Sequence, residues 1–205
     1  MRLNRENIWT DFNSFIRRNR SRFLVRQNPK AIWLTGLSSA GKTTIALALE
    51  KEIQKKGYFI KVFDGDIMRT GINKDLTYSL EDRKENIRRI AEITKIFLDT
   101  GLIIICSFIS PTDEIREMAK SIIGEKDFIE VYVNCPLSVC EERDVKGLYQ
   151  KARKGLIKNF TGIDSVYETP KNPNIELKTD VWTEKQTVKY LLEKIIPKIK
   201  FKTFI

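Results

Sequence analysis

The eight residues Gly36-Leu37-Ser38-Ser39-Ala40-Gly41-Lys42-Thr43, with Thr44 after them, have the spacing G-x-x-x-x-G-K-[ST]. That spacing suits a polyphosphate. Two glycines let the backbone curl so that successive N–H groups and the next helix's N-terminus face a β-phosphate. The lysine then bridges β and γ oxygens, and the threonine hydroxyl ligates magnesium. ATP and Mg2+ are the cofactors this predicts. Gly36 to Thr44 form the cradle, Lys42 is a catalytic cation and Thr43 a metal ligand.

Two carboxylates follow in Val62-Phe63-Asp64-Gly65-Asp66, at the end of an apolar run. If that run is a parallel strand, both reach the carboxyl edge of the sheet, where open α/β folds bind ligands. One of them, Asp64, suits the magnesium shell. The other, Asp66, can orient an attacking hydroxyl. Arg69, Arg83, Arg88 and Arg89 come next, and the planar guanidinium fork suits phosphate or sulfate. Arg88 and Arg89 are adjacent on a helix, so at least one should face solvent, which leaves Arg69 and Arg83 as the better anion ligands. The guanine-reading pattern Asn-Lys-x-Asp is approached only by Asn73-Lys74-Asp75-Leu76, which lacks the final aspartate, so GTP is not expected.

The elements that must position these groups alternate between strand and helix, the signature of a mostly parallel sheet with helices on both faces. The pattern predicts strands at Ala31–Thr35, Tyr58–Asp64, Leu102–Ser107 and Phe128–Asn134, four in all. Helices are expected at about Lys42–Lys56, Leu80–Thr100, Glu114–Ile123 and after Pro136. Ile87, Ile90, Ile93, Ile96 and Phe97 form the predicted apolar stripe of the long helix. Residues 144–173, rich in Lys, Gly, Asn and Pro and without sustained periodicity, read as a lid over the sheet's carboxyl edge. An amphipathic helix over residues 183–200 closes the chain. The organisation expected is a basic N-terminal extension, residues 1–30, packing on a kinase domain of residues 31–205.

Composition narrows the chemistry. With no histidine among 205 residues, a Ser-His-Asp triad and a histidine-ligated metal are excluded. Three cysteines without a Cys-x-x-Cys pair read as reduced core thiols. No apolar run approaches the roughly 20 residues of a membrane span, and the N-terminus offers no secretory signal core. A cytoplasmic protein without a membrane partner is the expectation. The net charge of +10 lies in the flanks: residues 1–30 carry eight Lys/Arg against two Asp/Glu, and residues 171–205 eight against four. A solvated basic face explains this more simply than RNA, so nucleic acid is not an expected partner.

Several blocks in order give the chain a family resemblance. Ile32-Trp33-Leu34-Thr35-Gly36-Leu37-Ser38, Phe63-Asp64-Gly65-Asp66-Ile67-Met68-Arg69 and Asp82-Arg83-Lys84-Glu85-Asn86 are three of them. Ile109-Ser110-Pro111, Asp144-Val145-Lys146-Gly147-Leu148-Tyr149 and Phe160-Thr161-Gly162-Ile163-Asp164 follow. The chain resembles adenylylsulfate kinases from about Asn7 to Lys178. The resemblance implies an α/β P-loop NTPase fold and transfer of the γ-phosphoryl of ATP to the 3'-hydroxyl of adenylyl sulfate, for sulfate activation. It implies that Arg69, Arg83 and Asn86 hold the anhydride and ribose, that Tyr78 and Phe160 stack on the substrate adenine, and that Ile109 and Lys146 line the substrate site. Arg143 would contact ATP, and the chain would form a homodimer. Ser110 is a candidate catalytic residue, matching a serine labelled a phosphoenzyme intermediate in the family. Direct in-line transfer needs no such intermediate, so a polar contact to substrate is expected of it. Thr70, Thr112-Asp113 and Ile115 depart from the family pattern. The alternative is a P-loop kinase for another small nucleotide or sugar.

Overall fold

In the computed structural model, which describes residues 20–201, the strands are Ala31–Thr35 (β1), Ile60–Asp64 (β2), Ile103–Ser107 (β3), Phe128–Asn134 (β4) and Ile175–Lys178 (β5). They form one parallel sheet in the order β2-β3-β1-β4-β5. Helices lying wholly within the described residues are Lys42–Gln54 (α1), Gly65–Thr70 (α2), Leu80–Asp99 (α3), Asp113–Ile123 (α4), Leu137–Arg143 (α5), Leu148–Arg153 (α6) and Glu184–Ile199 (α7).

Alternation along β1 divides the core. Successive strand side chains point to opposite faces, so Ile32 and Leu34 join Leu49 and Ile53 of α1 and Leu191 and Ile195 of α7. Trp33 joins Ile87 and Ile90 of α3 and Ile115 and Ala119 of α4 on the other face. All five β1 residues are buried, which is why the strand reads as a continuous apolar run rather than an alternating one. Each fully buried aliphatic side chain there contributes about 1.5 to 3 kcal/mol.

The sequence pattern predicts four strands, and the described residues form five. β5 pairs Val131 with Ile175 and Asn134 with Lys178. Its four residues are alternately buried and exposed, too short a pattern to stand out beside a loop rich in Asn and Pro. A second correction concerns α3, whose buried face carries Ile87, Ile90, Ala91, Thr94 and Leu98. Ile96 is exposed, because nine residues at about 100° each place it opposite Ile87. Ser79 caps this helix through its hydroxyl, which accepts from Asp82 N.

Of the basic N-terminal stretch, residues 1–19 lie outside the described residues. Beyond them, Gln27 is buried, donating to the carbonyls of Phe59 and Gly101 and accepting from Phe59 N. Asn28 N donates to Ile199 O at 2.7 Å. No described helix is long and apolar enough to cross a membrane.

Candidate active site

Three strand ends build the site. β1 runs into the glycine loop, β2 ends on Asp64, and β3 ends on Ser107, which lies directly across from Asp64 in the sheet register. Neighbouring parallel strands therefore bring the phosphate loop and the carboxylates to one edge.

The loop's path depends on its glycines. Gly36 passes so close to β4 that a Cβ there would sit 2.6 Å from Val133 O, closer than any real side chain tolerates. Gly41, at φ 98°, turns left-handed to start α1. Lys42 folds back over this turn, donating from Nζ to the carbonyls of Gly36 at 3.0 Å and Leu37 at 2.7 Å. It is buried, and desolvation lowers its pKa from 10.5 to about 8, although Asp64 and Asp66 oppose the shift. The cradle thus holds a cation short of counter-charge, which an anionic ligand can supply.

Thr43 donates from its hydroxyl to Asp64 Oδ2 at 2.7 Å, and Asp64 Oδ1 accepts from Asp66 N at 3.0 Å. Beside them the hydroxyl of Ser107, 3% exposed, has no hydrogen-bond partner. Buried hydroxyls rarely stay unpaired. A hydroxyl, a buried carboxylate and an unpaired hydroxyl are hard oxygen donors, the set Mg2+ takes. Asp66 forms an ion pair with Lys146, which reaches across from the segment after α5.

The opposite wall is cationic and aromatic. Arg69 lies over the Tyr78 ring, 4.4 Å from its centroid, and donates to the carbonyls of Leu76 and Thr77. Arg83 donates to Tyr78 O at 2.9 Å and also to Thr161 Oγ1 and Asn159 O. Burial, then the charge of Arg69, lowers its pKa. Asn86 accepts from the buried Asn73 at 2.8 Å.

These groups line one cleft of about 1140 Å³. Of the phosphate loop, Ser38, Ser39, Gly41, Lys42, Thr43 and Thr44 face it, as do Asp64, Asp66, Arg69, Tyr78, Arg83 and Asn86. Ile109, Ser110, Arg143, Lys146 and Phe160 complete the residues the sequence singled out. Gly36, Leu37 and Ala40 do not line the cleft; they shape the loop through their backbone. Arg88 and Arg89 are also absent from it. Arg88 pairs with Glu85 on the outer face of α3, and Arg89 with Glu85 and Asp75.

Ser110 is 2% exposed and accepts from Trp33 Nε1 at 3.0 Å, while Arg116 donates to its carbonyl at 2.9 Å. Trp33 is itself wedged between Phe108 and Phe128. The serine hydroxyl is therefore fixed by the core. Sequence reasoning missed Ser107, Thr179, Trp182, Thr183, Glu184 and Thr187, which also line the cleft. No motif marks them. Thr183, the first residue of the expected closing helix, caps that helix in a capping box with Gln186.

The comparisons with known proteins agree with this geometry. The family model described as adenylylsulphate kinase matches residues 28–178. The adenylyl-sulfate kinase of Bacteroides fragilis is 51% identical over 193 residues, 94% of this chain and 96% of that one. That of Clostridium acetobutylicum is 51% identical over 186 residues, 91% and 92% of the two chains. Among solved structures, the Mycobacterium tuberculosis APS kinase CysC in complex with AMPPNP and APS superposes with a TM-score of 0.79 at 39% identity. That match covers 82% of this chain and 98% of the other. On a family match spanning most of its length, and on relatives half identical across nearly all of it, the chain belongs to the adenylylsulphate kinase family.

Proposed function

We propose that the protein transfers the γ-phosphoryl of ATP to the 3'-hydroxyl of adenylyl sulfate, giving ADP and 3'-phosphoadenylyl sulfate. The observation that carries the reading is the single cleft, with a phosphate loop and two carboxylates at one wall and Arg69, Tyr78, Arg83, Asn86 and Phe160 at the other. At about 1140 Å³ it exceeds the roughly 300 to 1,000 Å³ usual for one small ligand and suits two nucleotides.

Phosphoryl transfer is catalysed by positioning and by charge placed where it develops. Lys42, already desolvated, meets the β and γ oxygens. Asp66 takes a hydrogen bond from the 3'-hydroxyl, with Lys146 holding its carboxylate. As the hydroxyl oxygen bonds to phosphorus, its proton passes to the Asp66 carboxylate, the bond from phosphorus to the β–γ bridging oxygen breaks and ADP leaves. Thr43 and Asp64 would hold Mg2+, which when bound offsets charge on the phosphate oxygens. Arg69 and Arg83 hold the acceptor's sulfate–phosphate anhydride, and Tyr78 and Phe160 flank its adenine. The segment of residues 144–173 acts as a lid whose closure excludes competing water. A Ser110 hydroxyl that accepts from Trp33, in a chain without histidine to deprotonate it, supports direct transfer rather than a phosphoenzyme.

Sulfate activation in the cytoplasm by a homodimer completes the reading, and sedimentation equilibrium measures the dimer. Incubation with ATP, Mg2+ and adenylyl sulfate should yield ADP and 3'-phosphoadenylyl sulfate in equal amounts. Phosphorylation of a different nucleotide or a sugar, with adenylyl sulfate untouched, would establish the alternative.

A further inference from the structure

Tyr149 does not line the cleft, yet it touches both halves of it. The side chain sits at the start of α6, 2% exposed. Its hydroxyl donates to the carbonyl of Ser38, inside the phosphate loop, at 3.0 Å. Its ring meets the Phe160 ring edge to face, with centroids 5.0 Å apart. Phe160 lines the acceptor end of the cleft and Ser38 the phosphate end.

Surrounding structure holds this contact in place. Asp144 accepts from Tyr149 N and Gln150 N, each at 3.0 Å, which anchors the first turn of α6. Two residues beyond Phe160, Gly162 packs so closely that a Cβ would lie 3.1 Å from Leu37 Cδ2 of the phosphate loop. Arg83 ties Asn159 and Thr161, on either side of Phe160, to α3. Burial raises the phenol's pKa far above its usual value, so the hydroxyl stays a donor across the working pH range.

We infer that Tyr149 is a positioning residue with two separable arms: its hydroxyl sets the Ser38 turn of the ATP loop, and its ring sets Phe160 against the acceptor. The assignment of the two ends rests on the proposed function above.

The hydroxyl arm can be cut alone, and then both arms together. Tyr149→Phe keeps the ring and removes only the hydroxyl. It should raise the KM for ATP about three- to tenfold, the worth of one neutral hydrogen bond, and leave the KM for adenylyl sulfate within about twofold. Tyr149→Leu keeps buried apolar volume and removes both arms, so both KM values should rise. A merely structural role would lower the unfolding midpoint and the active fraction without separating the two substrates. Equal effects of Tyr149→Phe on both KM values, or none on either, would overturn the inference, as would an unchanged adenylyl sulfate KM in a folded Tyr149→Leu. The ATP arm is also read without an acceptor, by titrating wild type and Tyr149→Phe with a non-hydrolysable ATP analogue. Wild type that never phosphorylates adenylyl sulfate would refute the proposed function, whereas an unweakened analogue affinity in Tyr149→Phe would refute this inference.

Discussion

Lys42→Met, which keeps the length of the side chain and removes its charge, tests the phosphate cradle without any assumption about the acceptor. In the free protein the Lys42 pKa falls from 10.5 to about 8 because the ammonium is desolvated. The native state therefore binds fewer protons than the unfolded chain between those two values, and stability rises with pH across that window. At about 1.4 kcal/mol per pKa unit, keeping the ammonium buried below pH 8 costs about 3 kcal/mol, nearly all of it regained above pH 10.5. The readable quantity is the difference between wild type and variant, which isolates Lys42. Urea unfolding followed by tryptophan fluorescence should show wild type gaining about 2 to 3 kcal/mol on Lys42→Met between pH 7 and pH 10. A saturating non-hydrolysable ATP analogue should abolish that gain, because phosphate oxygens return the missing counter-charge and raise the lysine's pKa. Turnover of Lys42→Met should be negligible. A difference that stays flat with pH in the free protein would refute the claim that the cradle stores an uncompensated cation.

Asp66→Asn should lower kcat far more than it changes the KM for adenylyl sulfate, since it removes orientation of the hydroxyl at similar volume; a change confined to KM in steady-state assays would make Asp66 a binding residue. Ser110→Ala should cost tenfold or less in kcat, about one hydrogen bond, while lowering stability by about 1 to 3 kcal/mol because the Trp33 N–H loses its acceptor. Near-complete inactivity with a chemically competent phosphoserine would reverse that reading. Ser107→Ala should have the opposite profile, with an unfolding free energy unchanged or higher and weaker nucleotide binding by calorimetry, since it removes a buried hydroxyl that no protein group pairs. Arg83→Ala should raise the KM for adenylyl sulfate at least tenfold, whereas Arg88→Ala, on the outer face of the same helix, should leave both KM values within about twofold.

The phosphate loop, the central strands and the Asp64-Gly65-Asp66 turn were legible in the sequence because each is a local device. A backbone cradle needs glycines at fixed offsets, and a strand buried on both faces needs an unbroken apolar run, so the information lies within a few residues of where it acts. Helix phase was half legible: it separated adjacent Arg88 and Arg89 from Arg83 in principle, but Ile96 was placed on the wrong face until α3's contacts fixed its rotation. β5 was not legible at all. Its four residues become a strand only because Val131 to Asn134 offer unpaired backbone groups at the sheet edge, and no property of Ile175–Lys178 alone announces that partner. The same holds for Thr179 to Thr187, which reach the cleft from some 140 residues beyond the phosphate loop. The restraint of Ser110 by Trp33, the unpaired hydroxyl of Ser107 and the span of Tyr149 from Ser38 to Phe160 belong to this class too. Local chemistry is written in residue type and spacing, but burial and partnership are properties of surfaces that meet only when the chain has folded.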